Sequence, residues 1–324
     1  MKTQYQAPLH FSDQSESVLV TGGTGFIGQL LVRALLKDSQ RVTLLSRDTK
    51  RAAALFDGKV TCIQSMAGLA KTDRIDVIIN LAGARILGWR WTEARKAALR
   101  RSRVDLTKNV VEWIKEAHVK PRLLLSASAI GYYGIQAQGD QRILDESSPS
   151  QNIFMSALCQ EWESAAQSAS QYGVKVCRMR FGLVLGHQGA LPMMLLPIKL
   201  GFGGALGRGD QWQSWIHVHD LLKGIVHLWQ QSAMHEHDAN QSIEDGAYNF
   251  TAPECLTQKQ FSKIAARLLH RPCFIPTPAF PVRLMLGEQA DLLLEGQRVA
   301  PRRLLEAGFT FQYPALHDAL TNLL

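Results

Sequence analysis

Short apolar runs alternate with amphipathic stretches through the first half of this chain. Val18-Leu19-Val20 suits a buried strand, and residues 27–37 after it carry helical periodicity. Residues 41–46 read as a second strand, 60–63 as a weaker third, and 76–83 as a fourth that ends in small residues. Residues 91–118 have long helical periodicity, with Leu99, Val104, Leu106, Val110, Val111 and Ile114 at buried positions, and Pro121 closes that segment. Residues 122–128 form a fifth strand, 154–172 a helix and 174–180 a sixth strand. Apolar strands alternating with helices predict an α/β fold of the Rossmann type, a doubly wound parallel sheet with helices on both faces. Ligands of such sheets lie beyond the carboxyl ends of the strands.

The pattern changes near Phe181. Glycine, proline and tryptophan become dense, and the regular alternation stops. Residues 181–324 therefore predict a smaller, partly helical lobe over the strand ends, and residues 17–180 the dinucleotide-binding domain. Thr257-Gln-Lys-Gln260 is a capping box for a helix running to about His270. Residues 234–246 are polar and read as a surface loop, with His235 and His237 solvated. Pro272, Pro276, Pro278 and Pro281 mark a rigid connection into a short last unit at about 272–324. Residues 1–16 lack a signal-type apolar core and read as a loose extension.

Between the first strand and helix, Gly22, Gly25 and Gly28 recur every third residue. Glycine lets the backbone turn tightly and approach a ligand, while the helix start offers unpaired amides and the positive end of its dipole. Thr24, Phe26 and Ile27 complete this diphosphate cradle. The residue after the second strand distinguishes the two nicotinamide dinucleotides. A carboxylate there binds the ribose 2′-OH; here the strand ends Ser46-Arg47, whose hydroxyl and forked guanidinium suit a 2′-phosphate. NADP(H) is thus expected in preference to NAD(H), although Asp48 lies one residue away. Leu81-Ala82-Gly83 end the fourth strand with a surface that admits the nicotinamide ribose, or that serves tight strand–helix packing.

Charge and cysteine content add little to this. The 36 Lys and Arg outnumber the 28 Asp and Glu, giving a formal +8. The excess suits a phosphorylated cofactor or an acidic ligand. The basic residues are scattered, without a basic arm or zinc-finger spacing, so nucleic acid is not expected. Five widely spaced cysteines without a C-x-x-C predict reduced thiols and a cytoplasmic protein. The most apolar stretch, 191–200, contains two prolines and is too short to span a bilayer, so no membrane role is expected.

Together, Thr21-Gly-Gly-Thr-Gly-Phe-Ile-Gly28, Asn80-Leu-Ala-Gly83, and Ser126-Ala-Ser128 followed by Tyr133-Gly134 resemble the extended short-chain dehydrogenase/reductase superfamily. Residues 90–95, 126–134, 211–217 and 296–299 resemble more narrowly its atypical YfcH-like branch, labelled NAD-dependent epimerase family or nucleoside-diphosphate-sugar epimerase. Residues 304–309 resemble that branch's short C-terminal domain. The likeness covers the chain after residue 16. It implies a Rossmann-type fold and a dinucleotide site, but no substrate.

The superfamily's usual proton-transfer pair is a Tyr and a Lys spaced Y-x-x-x-K on one helix face, where the Lys charge lowers the phenol pKa. In the matching helix, Phe154 stands at the Tyr position and Leu158 at the Lys position. A start at Ile153 brings Ala157 and does no better. Ser128 matches the superfamily's strand-end serine, or is a plain strand-end cap. Tyr132 and Tyr133 lie at the expected mouth of the cleft, as a proton donor or as aromatic packing. Cys159 reads as a buried small hydrophobe.

Other candidates come from the ends of strands and from the second lobe. Arg180 ends the sixth strand on the ligand side and meets either an anionic substrate or a structural carboxylate. The glycine-rich stretch 199–209 reads as a flexible substrate lid carrying Arg208, or as an irregular surface loop. Trp212 and Trp215 are candidates to floor the pocket. His217 and His219 share a face of an expected strand, but with Asp220 placed to cap the helix 221–231, no metal is expected.

Two functions follow. The first is an NADP(H)-dependent oxidoreductase or epimerase-like enzyme acting on a small polar or nucleotide-linked substrate. The alternative is a non-catalytic NADP(H)-binding sensor or scaffold. Related proteins often pair through the two long helices flanking the site; the corresponding faces here are not obviously apolar, and the oligomeric state stays open.

Overall fold

Strand β1 (Ser17–Thr21) leads into helix α1 (Phe26–Lys37), followed by β2 (Arg41–Leu45), α2 (Thr49–Leu55), β3 (Thr61–Ile63) and β4 (Val77–Asn80). These assignments come from a computed structural model that describes residues 8–88, 90–233 and 243–324. Next come α3 (Glu93–Arg100), a π-helical turn (Arg101–Asp105) and α4 (Leu106–Glu116). β5 (Leu123–Ala129), α5 (Phe154–Gln167) and β6 (Lys175–Phe181) complete the alternating half. β7 (Leu183–Leu185), α6 (Leu191–Lys199), β8 (Trp212–Gln213), β9 (Trp215–His217), α7 (Val218–Ala233) and β10 (Gly246–Phe250) follow. The chain ends with β11 (Leu256–Thr257), α8 (Gln258–Leu268), α9 (Ala279–Leu286), α10 (Asp291–Leu294), α11 (Arg302–Glu306) and α12 (Leu316–Leu323).

Seven parallel strands form the sheet, in the order β10-β6-β5-β4-β1-β2-β3. The chain order reverses between β1 and β4, which opens a crevice at their carboxyl ends. Strand alternation sends Val18 and Val20 to one face and Leu19 to the other. The first pair packs with Leu31, Val32, Leu35 and, from α7, Leu221 and Ile225. Leu19 packs with Ile78, Val110, Ile114 and Leu124. Burial on both faces explains the unbroken apolar runs.

The helical periodicity of 91–118 is realised as continuous helix from Glu93 to Glu116, with the π turn inserted between α3 and α4. Two features depart from the sequence reading. Part of the N-terminal extension is tied down: Phe11 is buried, its N–H donates to the Asp38 carboxylate at 2.7 Å, and its ring meets Trp229 edge-on at 5.3 Å. Residues 1–7 lie outside the described residues, as do 234–242 of the expected surface loop with His235 and His237. Finally, β10 pairs with β6 in the main sheet, so the C-terminal half is not a separate layer.

The second lobe has its own core. Leu185, Leu191, Leu195, Trp215, Phe261, Leu316 and Leu320 pack together, joining α6, α8 and α12. The expected capping box opens α8: the Thr257 hydroxyl accepts from the Gln260 N–H at 3.3 Å, and the Thr257 N–H donates back to the Gln260 side chain at 2.7 Å.

Candidate functional site: a dinucleotide cradle and a buried polar network

The turn after β1 is closed to side chains. Gly22 has φ of +71°, and a Cβ there would lie 2.7 Å from the Ala82 backbone nitrogen. A Cβ on Gly28 would lie 2.3 Å from the Gly22 carbonyl oxygen. The Gly25 N–H donates to that carbonyl at 3.0 Å, which closes the turn. Gly25 caps α1 without a side-chain hydrogen bond, and the first turn of α1 has no acidic residue. Thr24 and Gly25 are exposed there, Ile27 is half-buried, and the Phe26 ring packs against Gly186 and Gly189 beyond β7. This backbone fits a diphosphate: no side chain caps the start of α1, and its first turn holds no carboxylate to oppose an anion.

At the end of β2, Arg47 is exposed and no carboxylate pairs with it among the described residues. Asp48 is turned away: it caps α2 by accepting from the Arg51 N–H at 2.9 Å. The Ser46 hydroxyl donates to the Asp48 carbonyl at 3.1 Å.

A buried polar ladder fixes the next strand ends. The Thr21 hydroxyl donates to Asn80 Oδ1 at 2.6 Å and accepts from the Ala82 N–H at 3.1 Å. Asn80 Nδ2 donates to the hydroxyls of Thr107 at 2.8 Å and Ser126 at 3.2 Å. Satisfied buried groups of this kind rigidify a site. They position Leu81, Ala82 and the exposed Gly83, behind which lies the Arg103 guanidinium; a Cβ on Gly83 would fall 2.9 Å from its central carbon.

Beyond β5 a second network is centred on Glu163 of α5. Ser128 donates to its Oε1 at 2.7 Å. Arg180 at the end of β6 binds both of its oxygens, Oε1 at 2.8 Å and Oε2 at 2.9 Å. Arg180 also donates to the Tyr133 hydroxyl at 2.9 Å, which donates to Asn249 of β10 at 2.7 Å. Ser128, Tyr133, Glu163, Arg180 and Asn249 are all buried. This corrects the expectation that Tyr133 stands at the mouth of the cleft. It lies beneath, and burial pushes its phenol up to about 12. Arg180 takes the structural carboxylate instead of an open anion site. Tyr132 remains half-buried, with the Arg180 guanidinium over its ring at 3.5 Å.

At the start of α5, Phe154 is half-buried between Trp91, 5.2 Å away edge-on, and the Lys96 ammonium, 5.2 Å from its ring centre. Leu158 is buried among Leu99, Val104, Ala127 and Trp162. Cys159 is buried, and burial pushes its thiol up to about 12, which leaves no thiolate at neutral pH.

The candidates in the second lobe are placed differently from the reading above. Trp215 is fully buried in that lobe's core and floors no pocket. Trp212 is half-buried, and its indole N–H donates to the Asp140 carbonyl at 3.2 Å. Arg208 is exposed and bound to Asp210 at 3.3 Å and to Gln138. Its glycine-rich stretch is stapled to the 272–278 segment: Gly207 N–H donates to Thr277 at 2.8 Å and Ile275 N–H to Gly203 at 3.0 Å. His219 lies in α7, not on a strand, and its N–H donates to His217 Nδ1 at 3.0 Å. Asp220 does not cap the helix. It accepts from the N–H groups of Gln312 and Tyr313 at 2.9 and 2.8 Å, which fastens the C-terminal segment to α7. Among the described residues no group of three potential ligands is arranged for a metal ion.

The NAD dependent epimerase/dehydratase family model matches residues 18–241, well over half of the chain. The chain belongs to that family. A second model, a domain of unknown function (DUF1731), matches residues 277–323. The chain is 36% identical to epimerase family protein YfhF of Bacillus subtilis over 312 residues, covering 95% of this chain and 98% of that one. It is 36% identical over 323 residues to the chloroplastic SDR39U1 homolog of Arabidopsis thaliana, covering 97% of this chain and 89% of the other. The crystal structure of human epimerase family protein SDR39U1 with NADPH is similar at TM-score 0.81 and 32% identity, covering 95% of this chain and 98% of that one. A nucleoside-diphosphate sugar epimerase from Corynebacterium glutamicum is similar at TM-score 0.73 and 27% identity, covering 96% of this chain and 58% of that one.

Three residues of this epimerase-family chain went unnoticed in the sequence. Glu163 had a signal: it falls four residues after Cys159 and eight after Met155, on the buried stripe of α5. Arg103 had a weaker one, an arginine beside Val104 on an otherwise apolar face. Asn249 had none, because it reaches the site only through the pairing of β10 with β6.

Proposed function

We propose that this chain binds NADP(H) along the carboxyl ends of β2, β1 and β4, and acts on a small polar, nucleotide-linked substrate. The observation that carries this reading is the glycine cradle together with the free Arg47 and the diverted Asp48. A guanidinium without a competing carboxylate suits the 2′-phosphate, and the cradle suits the diphosphate. The human relative crystallised with NADPH supports the choice of cofactor, and the sugar-nucleotide epimerase neighbour supports the substrate class. When bound, the dinucleotide supplies a hydride-transfer couple.

The chain's own residues must then hold and move the proton without the Tyr/Lys pair, since Phe154 and Leu158 carry neither an acid nor a charge. Of Ser128, Tyr132 and Tyr133, we assign the proton-bearing role to Tyr132. The other two hydroxyls are buried and committed to the Glu163 network, whereas Tyr132 is half-exposed. Arg180 holds the Tyr132 ring in place.

The commitment of Ser128 and Tyr133 to internal bonds also favours the second reading, a module that binds NADP(H) as a sensor or scaffold without turnover. The test for binding is calorimetric titration with NADPH and NADH. Heat with NADPH supports the proposal, and no heat with either removes it. A panel of carbonyl compounds and sugar nucleotides, run with wild type and Y132F, separates enzyme from module. Turnover that Y132F abolishes supports the first reading; binding with no turnover anywhere supports the second.

A further inference from the structure

Arg103 is a buried cation that forms no ion pair among the described residues. It sits in the π-helical turn between α3 and α4 and is 6% exposed. Its guanidinium lies over the Trp162 ring, 5.3 Å from the centroid. It donates to the Ala84 carbonyl at 3.0 Å and to the Ser102 hydroxyl at 3.3 Å. Among the described residues no carboxylate comes within ion-pairing distance of it. The two carboxylates of the facing helix α5 are engaged elsewhere: both oxygens of Glu163 are held by Arg180, and Glu161 is paired with Arg100. Burial pulls the Arg103 pKa down to about 10, with Arg95 adding to the effect, so the side chain stays charged at neutral pH. Buried charges normally have partners, because desolvation is otherwise uncompensated.

The position of this charge relates it to the cleft. Gly83 is exposed at the carboxyl end of β4, and its missing side chain is what leaves room for the guanidinium behind it. Residues 84–102 add six further Lys and Arg, of which Lys96 is paired with Glu93 and Glu288 and Arg100 with Glu161. Under the proposed reading, the dinucleotide runs from Arg47 past the cradle, and its nicotinamide end reaches β4. The two redox forms of that cofactor differ there by one charge. The oxidised ring is a cation and the reduced ring is neutral.

We propose that Arg103 makes this site selective for the reduced dinucleotide: its uncompensated charge behind Gly83 repels the oxidised nicotinamide and leaves the reduced one unopposed. The inference rests on the NADP(H) reading above and adds a redox preference to it. That preference requires no catalytic group, so it holds for an enzyme and for a sensor alike.

The test is the ratio of dissociation constants for NADP+ and NADPH, measured by calorimetry on the full chain at low salt. Wild type should bind NADPH about tenfold more tightly, the order expected for one charge repulsion in a partly buried site. R103Q should bring the ratio close to one, mainly by tightening NADP+, while R103K should keep it. R103M, which retains an apolar stem against Trp162, is the second uncharged variant should R103Q not melt cooperatively. Equal wild-type affinities would overturn the inference and leave NADP(H) binding intact. So would uncharged variants that weaken both forms by the same factor, the mark of a purely structural role. Binding of neither form would overturn the dinucleotide reading itself.

Discussion

Ser128 and Arg180 share one oxygen atom: the serine hydroxyl donates to Glu163 Oε1 at 2.7 Å and the guanidinium Nε donates to the same atom at 2.8 Å. The carboxylate is therefore the hub of the network. E163Q removes its charge and strands Arg180 in the interior, at a cost of about 3–5 kcal/mol. S128A removes one hydrogen bond to a charged group and should cost about 1–3 kcal/mol. Urea unfolding of both variants checks this order. Equal losses would mean that the hub is elsewhere.

Under the proposed reading, Arg47 is the charged side chain that meets the ribose 2′-phosphate. R47A should weaken NADPH binding roughly ten- to a hundredfold, the loss of a charge-assisted pair, and leave NADH nearly unchanged. Titration of both dinucleotides into wild type and variant decides this. Equal losses would take away the argument for the 2′-phosphate.

Gly28 packs against the turn that it helps to form, with the Gly22 carbonyl 2.3 Å from where a Cβ would stand. G28A must push the helix start away from β1. We expect dinucleotide binding to fall below detection, with a stability loss of about 1–3 kcal/mol from overpacking. Thermal melts with and without NADPH measure both, and a variant that binds normally would show that the cradle is not the site.

His217 sets an acid limit. It is buried against the Tyr313 ring, 4.0 Å between centroids, and burial, with His219 adding to it, lowers its pKa to about 4. Its ordinary value is 6.5, so between pH 6.5 and 4 the unfolded chain binds a proton that the folded chain refuses. Stability is therefore retained above pH 6.5 and lost progressively down to about pH 4, by roughly 3 kcal/mol from this residue. H217Q should flatten that part of the Tm–pH profile. An unchanged profile would assign acid lability to other groups, with His219 and His227, both also lowered by burial, the next to examine.

The parallel sheet was legible because strands buried on both faces must be apolar throughout, as Val77-Ile78-Ile79 and Leu123-Leu124-Leu125 are. The cradle was legible because Gly22 and Gly28 each meet backbone where a side chain would stand. What the pattern hid was tertiary. Trp215 followed a glycine-rich stretch and looked like a pocket wall, yet α6, α8 and α12 close over it. Asp220 stood where helix caps stand, but its partners are Gln312 and Tyr313, over ninety residues away. Tyr133 was adjacent to Tyr132, and only the 3-10 turn from Ile130 to Tyr133 sends one inward and leaves the other half out.

β10 also bears on how the protein is made. Residues 246–250 cover the open side of β6, so the first 180 residues leave the ribosome with a bare strand edge. Such edges recruit other chains. A nascent or truncated product ending before Phe250 is thus poised to self-associate, and the parallel sheet becomes safe from that fate only once about half of the remaining chain has been synthesised.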